Sequence, residues 1–200
     1  MRELIRNRLR HTLPDTLIHP EILPPAKGRI MLTGVTEFRA AAVLVPIIDH
    51  PDEMTVLLTR RPDYMKKHAG QVAFPGGRVD PADAHPVAAA LREAEEEVGL
   101  APHHVEIVGC LDNYHTGTGF QITPIVGIVT PGFALQACNY EVAEIFEVPL
   151  SFLMNPDNHQ RKETEFNGRM AQYYAMPYKD YNIWGATAGM LVNLFNRLYG

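Results

Sequence analysis

Cysteine is almost absent from this sequence: Cys110 and Cys138 are the only two. Two cysteines set apart in largely apolar segments build neither a disulfide framework nor a zinc cluster, so reduced, buried thiols are the expectation. A strong excess of one charge is missing as well. The formal net charge is -5, which offers no general attraction to nucleic acid or to an anionic membrane surface. No apolar run approaches the roughly 20 residues that cross a bilayer. The N-terminus lacks the apolar core of a signal peptide, and a cytoplasmic location is the default expectation. Repeats and low-complexity stretches are also lacking. The 46% hydrophobic and 20% charged content excludes wholesale disorder and fits a single globular domain.

The charge that is present is unevenly placed. Arg2, Arg6, Arg8 and Arg10 make the start basic, Arg60 to Lys67 is basic again, and Glu93 to Glu97 is acidic. Leu4, Ile5, Leu9 and Leu13 recur at roughly helical spacing, which predicts an amphipathic helix packed on the body or on a partner. Pro14, Pro20, Pro24 and Pro25 mark an extended connection, so residues 1–36 are set apart from a main unit over 37–200. In that unit Ala40–Ile48 and Met54–Thr59 predict a hairpin, and Gln71–Phe74 a short strand stopped by Pro75-Gly76-Gly77. A helix is expected from Ala84 to Val98, with Asp83 as N-cap and Gly99 beyond its C-terminus. Strands follow at Val105–Leu111, Ile122–Thr130 and Glu144–Val148, and a helix at Trp184–Leu198. The pattern is mixed α/β, or α+β.

At about 100° per residue, Glu93, Glu96 and Glu97 share one arc of the central helix roughly 100° wide. Val87, Leu91, Ala94 and Val98 gather on a different face. Three like charges at this spacing repel one another, and they stand near the helix end whose dipole disfavours anions. A bound divalent cation offsets both costs, because hard cations take carboxylate oxygens and bridge them to phosphates. A solvated acidic face is the plainer explanation of such a helix. It does not explain why a glycine turn, where a backbone can approach a ligand closely, stands just upstream.

Arg92, Glu93, Ala94, Glu96, Glu97, Gly99 and Leu100 complete the second half of the motif G-x5-E-x7-R-E-U-x-E-E-x-G-U, in which U is aliphatic. The segment therefore resembles the Nudix box. In the first half, Asp83 stands where the motif has Glu, one residue too far from Arg92. That departure resembles the coenzyme A pyrophosphatase branch of the family. The upstream signature of the same branch is similar to Leu57, Leu58, Thr59, Arg61, Gly70, Phe74, Pro75, Gly76 and Gly77, with Pro62 in place of its serine and Lys66 in place of its arginine. Ile122–Gly127 and Ile183–Ala188 also look like that branch, so the resemblance spans roughly residues 40–190.

The resemblance implies a Nudix-type α/β/α sandwich with a mixed sheet. It implies metal-dependent hydrolysis of the pyrophosphate bond of coenzyme A or its derivatives. Mg2+ or Mn2+ is expected on Glu93, Glu96 and Glu97, with Gly77 completing the shell through its carbonyl. The water-activating carboxylate is open between Glu96, Glu141 and Glu144. Arg61 and Lys66, then Arg60 and Gly76, are expected to hold substrate phosphates, with Arg92 and Asp83 as structural support. Neither His85 nor His115 is assigned a role; Tyr114 is a candidate for substrate contact, and Phe120 is expected in ordinary core packing. A Nudix enzyme for ADP-ribose or NADH, or a non-catalytic nucleotide-sensing module, is the alternative. A homodimer is compatible with the family, and no nucleic-acid or membrane partner is expected.

Overall fold

The computed structural model describes residues 1–12, 38–65, 68–138, 140–166 and 169–200. Lys66, Lys67, Leu13 and the proline-marked connection lie outside them. Strand β1 (Arg39–Ile48) runs parallel to β7 (Phe120–Val129) along its whole length, from Arg39 opposite Phe120 to Ile48 opposite Val129. On either side stand β2 (Thr55–Arg60), β3 (Val72–Ala73) and β5 (Val105–Cys110), in the order β3-β2-β1-β7-β5. Three further strands attach to this path: β4 (Gly76–Arg78) to β1, β6 (Tyr114–His115) to β7, and β8 (Glu144–Pro149) to β2. A central strand covered on both faces reads as one continuous apolar run, and β1 is buried from Ala41 to Ile48.

Alternate residues of β1 serve two cores, because successive side chains of a strand point to opposite faces. Ala42, Leu44 and Ile48 pack with Ala89, Ala90, Ala94 and Val98 of α2 (Pro86–Val98). Val43, Val45 and Ile47 pack with Leu191, Leu194 and Leu198 of α4 (Gly185–Tyr199), and with Ile5 and Leu9 of α1 (Arg2–Leu9). A mixed sheet thus lies between helices, as expected. Helix α1 packs on its own chain: Ile5 and Leu9 are fully buried, each contributing about 1.5–3 kcal/mol. Arg6 donates to both carboxylate oxygens of Glu106, at 2.9 and 2.6 Å.

Several expectations need correction. The hairpin of β1 and β2 is real but short, pairing only Ile47 with Val56 and Ile48 with Thr55; beyond it β2 turns to β8 and β1 to β4. Cys110 and Cys138 are free but half-buried. The C-terminal helix starts at Gly185, since Trp184 ends strand β11 (Tyr181–Trp184). That strand belongs to a second sheet, with β9 (Gln160–Phe166) and β10 (Arg169–Tyr178) in the order β11-β10-β9, which the sequence reading missed. A short helix, α3 (Leu150–Leu153), precedes it. Among the described residues no helix is long and apolar enough to cross a membrane.

Candidate active site

The central helix begins two residues later than expected, and Asp83 is not its cap. The His85 ring nitrogen Nδ1 accepts from Ala88 N–H at 3.1 Å, and Pro86 occupies the first turn, where its missing N–H costs nothing. Gly99 closes the other end at φ 72°, the left-handed conformation that glycine adopts most easily. The buried face is also shifted. Val87 and Leu91 are only half-buried, while Ala89, Ala90, Ala94 and Val98 are covered and Glu97 is taken in with them, 6% exposed. Small alanines let the helix approach the sheet closely, and Glu97 is thereby pressed onto β4.

Two glycines make that approach possible. Gly76 donates its N–H to Glu97 Oε2 at 3.1 Å. Its φ of +154° and the closeness of the β1 backbone, with Val43 Cα 2.6 Å from where a Cβ would stand, leave no room for a side chain. At Gly77 a Cβ would sit 2.5 Å from Glu93 Oε1. Because that obstacle is the end of a flexible side chain, Gly77→Ala is expected to keep the fold while displacing the Glu93 carboxylate. Misplacement by about 1 Å costs roughly 100-fold in rate. Activity and thermal unfolding measured together check this, and full activity in the variant would contradict it.

Burial dominates the electrostatics. It pushes the Glu97 carboxyl up to about 7, opposed by the hydrogen bond from Gly76 and the charge of Arg61 and aided by the charges of Glu93 and Glu141. Burial also raises Glu93, opposed by Arg92. Arg92 ties the site together. Its guanidinium donates to both oxygens of Asp83 at 3.0 Å and to the Arg78 carbonyl at 3.3 Å, and reaches Glu93 and Glu96 at 3.1 Å each. Those hydrogen bonds hold Asp83 below the usual carboxylate range. The long spacing from Asp83 to Arg92 is therefore accommodated as a side-chain clamp. Asp83→Asn is expected to lower metal affinity or activity by about 10–100-fold, as loss of a supporting partner typically does; unchanged metal titration and turnover would refute the clamp.

The expected residues do not all converge. Glu96, in the predicted arc, is 60% exposed in its side chain and drawn to Arg92. Glu141 is exposed, and its charge reaches both Glu93 and Glu97. Glu144 instead accepts a 2.5 Å hydrogen bond from Tyr181 Oη. Arg60 is paired with Asp63 at 2.6 Å. Arg61 stands near enough to Glu97 for its charge to oppose the rise there, and among the described residues its buried Nε has no hydrogen-bond partner. Tyr114 packs against the core that contains α4, and His115 bonds Gln121 at 3.0 Å.

Among the described residues no three acidic, histidine or cysteine side chains form a ready-made metal cage. The residues present nevertheless fit a divalent cation. Glu93 and Glu97 are desolvated and repel each other, and the arginine beside Glu93 is already shared with Asp83 and Glu96; their oxygens are the hard ligands that Mg2+ and Mn2+ prefer.

Sequence reasoning missed a second cluster. Phe120 is half-exposed at the start of β7 and is not in the core. The Arg39 guanidinium lies 4.0 Å from its ring centroid and that of Arg78 5.7 Å. Arginines flanking two apolar strands and a glycine turn were the available signal.

The NUDIX domain family model matches residues 38–173. The chain is 42% identical over 183 residues to the uncharacterized Nudix hydrolase NudL of Enterobacter sp. (strain 638), covering 92% of this chain and 93% of that one. The Escherichia coli (strain K12) NudL matches equally, at 42% over the same share. Among solved structures, a MutT/nudix family protein from Enterococcus faecalis superposes with a TM-score of 0.52 at 16% identity, over 99% of this chain and 74% of that one; at that identity the likeness concerns the fold. With a family model matched over most of its length and relatives that align over more than nine-tenths of both chains, the chain belongs to the Nudix hydrolase family.

Proposed function

We propose that the chain hydrolyses the pyrophosphate bond of coenzyme A or its derivatives, giving phosphopantetheine (or its acyl form) and adenosine 3′,5′-bisphosphate. The carrying observation is the Glu97 carboxylate, buried beside Glu93 and fastened to the Gly76 N–H. In this reading Glu93 and Glu97 are the principal ligands of Mg2+ or Mn2+, the Gly77 carbonyl completes the shell, and Glu96 joins by leaving Arg92. The bound cation supplies charge neutralisation at the phosphoryl oxygens. Water adds to one phosphorus, the bridging P–O bond breaks, and the water proton passes to a carboxylate. Glu141 is the favoured acceptor and water-orienting group, because its charge is felt at both buried glutamates while Glu144 is engaged by Tyr181. Glu96 is the reserve.

Support for coenzyme A comes from the upstream signature, within which Arg61 keeps a buried guanidinium nitrogen that has no partner among the described residues. A phosphate oxygen is a natural acceptor for it. Arg61→Gln is expected to raise KM for coenzyme A by about tenfold or more, since hydrogen bonds to charged groups are worth about 1.5–3 kcal/mol. Lys66 is proposed as a further contact, and Arg60 as a lesser one because Asp63 already neutralises it.

The test is a comparison of kcat/KM for coenzyme A, acetyl-coenzyme A, ADP-ribose and NADH with either metal. Preference for coenzyme A or its acyl form supports the proposal. Preference for ADP-ribose or NADH keeps the chemistry and replaces the substrate, and binding without turnover of any of them favours a sensing module.

A further inference from the structure

Arg39 and Arg78 are two exposed guanidiniums that converge on one ring. Among the described residues neither has a carboxylate within ion-pairing distance. This is unusual in a chain with five more acidic than basic residues, because like charges brought together repel unless a counter-charge joins them. Arg39 is also held in place: its guanidinium donates to the Thr118 carbonyl at 3.1 Å, and its backbone N–H to the Gly119 carbonyl at 2.9 Å. The backbone of Arg78 is fixed by Arg92, which donates to its carbonyl. Positions are thus set while, among the described residues, most of the ten N–H donors of the two guanidiniums have no acceptor.

The register places this cluster beside the acidic pair. Arg78 follows Gly77 directly, and residues next to each other in a strand face opposite ways. The Gly77 side faces Glu93, so Arg78 projects to the other face of β4. There Arg78 pairs with Ala41 on β1, two residues from Arg39, whose own partner is Phe120 on β7. Among the described residues strand β4 hydrogen-bonds only β1 within its sheet, so its outer edge separates the carboxylates from the arginines by one strand's width.

We infer that Arg39 and Arg78 are the seat of a second phosphate, a phosphomonoester on the nucleoside end of the substrate, with Phe120 as the platform that holds the guanidiniums apart from acidic neighbours. A pyrophosphate lying over Gly76 and Gly77 then straddles the edge of β4. A substrate carrying an added phosphomonoester is favoured over one without it. This rests on the proposed reading of Glu93 and Glu97 as the pyrophosphate site, and it adds the residues that select the substrate.

The test separates the two. Binding of adenosine 3′,5′-bisphosphate and of adenosine 5′-monophosphate to the whole chain is measured calorimetrically for the wild type and for R39Q/R78Q, with thermal unfolding of each as a check on folding. The wild type is expected to prefer the bisphosphate by about tenfold or more, as charge-assisted hydrogen bonds of this kind imply, and the double variant to lose that preference. R39K/R78K, which keeps the charge but loses the planar fork, is expected to restore part of it. The ratio of kcat/KM for coenzyme A over dephospho-coenzyme A should fall in parallel. A wild type without preference, or an equal preference in a folded R39Q/R78Q, overturns the inference. Preference lost in the variant while no coenzyme A is cleaved by either protein upholds the phosphate seat and defeats the proposed reaction. Cleavage of coenzyme A with a ratio untouched by R39Q/R78Q does the reverse.

Discussion

Glu97→Gln is expected to lower turnover of coenzyme A by about 1000-fold, at the upper range seen when one pre-organised charge-stabilising group is removed from an active site. The amide keeps the size of the carboxylate and one oxygen near Gly76 N–H, so the buried site loses its charge and little of its shape. Glu93→Gln should be nearly as severe. Glu96→Gln should be milder, because the Glu96 side chain is largely exposed and already committed to Arg92. Steady-state kinetics at saturating Mg2+ read the order directly. An unimpaired Glu97→Gln would remove the basis for assigning the metal to this pair.

The same residue gives the second large effect, in stability. Burial raises Glu97 from 4.5 to about 7 in the folded chain, so the folded state binds a proton more tightly than the unfolded one. Stability without metal is then complete below about 4.5 and is lost as pH rises to about 7 and beyond; the loss is roughly 3 kcal/mol. The rise at Glu93 acts in the same direction. Asp83 and Glu106 are lowered, and their contribution is already complete above the ordinary carboxylate range, so it does not oppose this trend. Urea unfolding of chelator-treated protein at pH 5 and pH 8 should show the decline. Glu97→Gln should flatten it and be the more stable protein at pH 8. Saturating Mg2+ should restore the wild type there. Stability that is flat or rises from pH 5 to 8 without metal would refute the burial assigned to Glu97.

Both effects depend on a feature that periodicity did not reveal. Spacing placed Glu93, Glu96 and Glu97 on one arc, and the helix does carry them together. It gave no reason to bury one of them, since burial is decided by how closely α2 approaches β4, and so by the two glycines of another segment. The same distance in sequence hid the roles of Asp83 and Arg92: nine residues apart, they meet because the turn before α2 folds back. Local signals performed well where one segment carried its own information, as in the apolar run of β1 or the left-handed Gly99. They performed poorly for β9 and β10. Residues 160–165 are exposed and charged, without an apolar alternation to mark a strand. The Asn167-Gly168 dipeptide between the two strands is the one local hairpin signal in that stretch. Arg39, Arg78 and Phe120 come from three strands whose pairing no single segment encodes.

Chromatography of coenzyme A incubated with the wild-type chain and Mg2+ or Mn2+, with and without excess chelator, is the most direct test. Hydrolysis at the Glu93–Glu97 site predicts adenosine 3′,5′-bisphosphate and phosphopantetheine in equal amounts, and neither when the metal is removed. Cleavage of coenzyme A that persists under chelation, or no cleavage of its pyrophosphate bond at all, would contradict it.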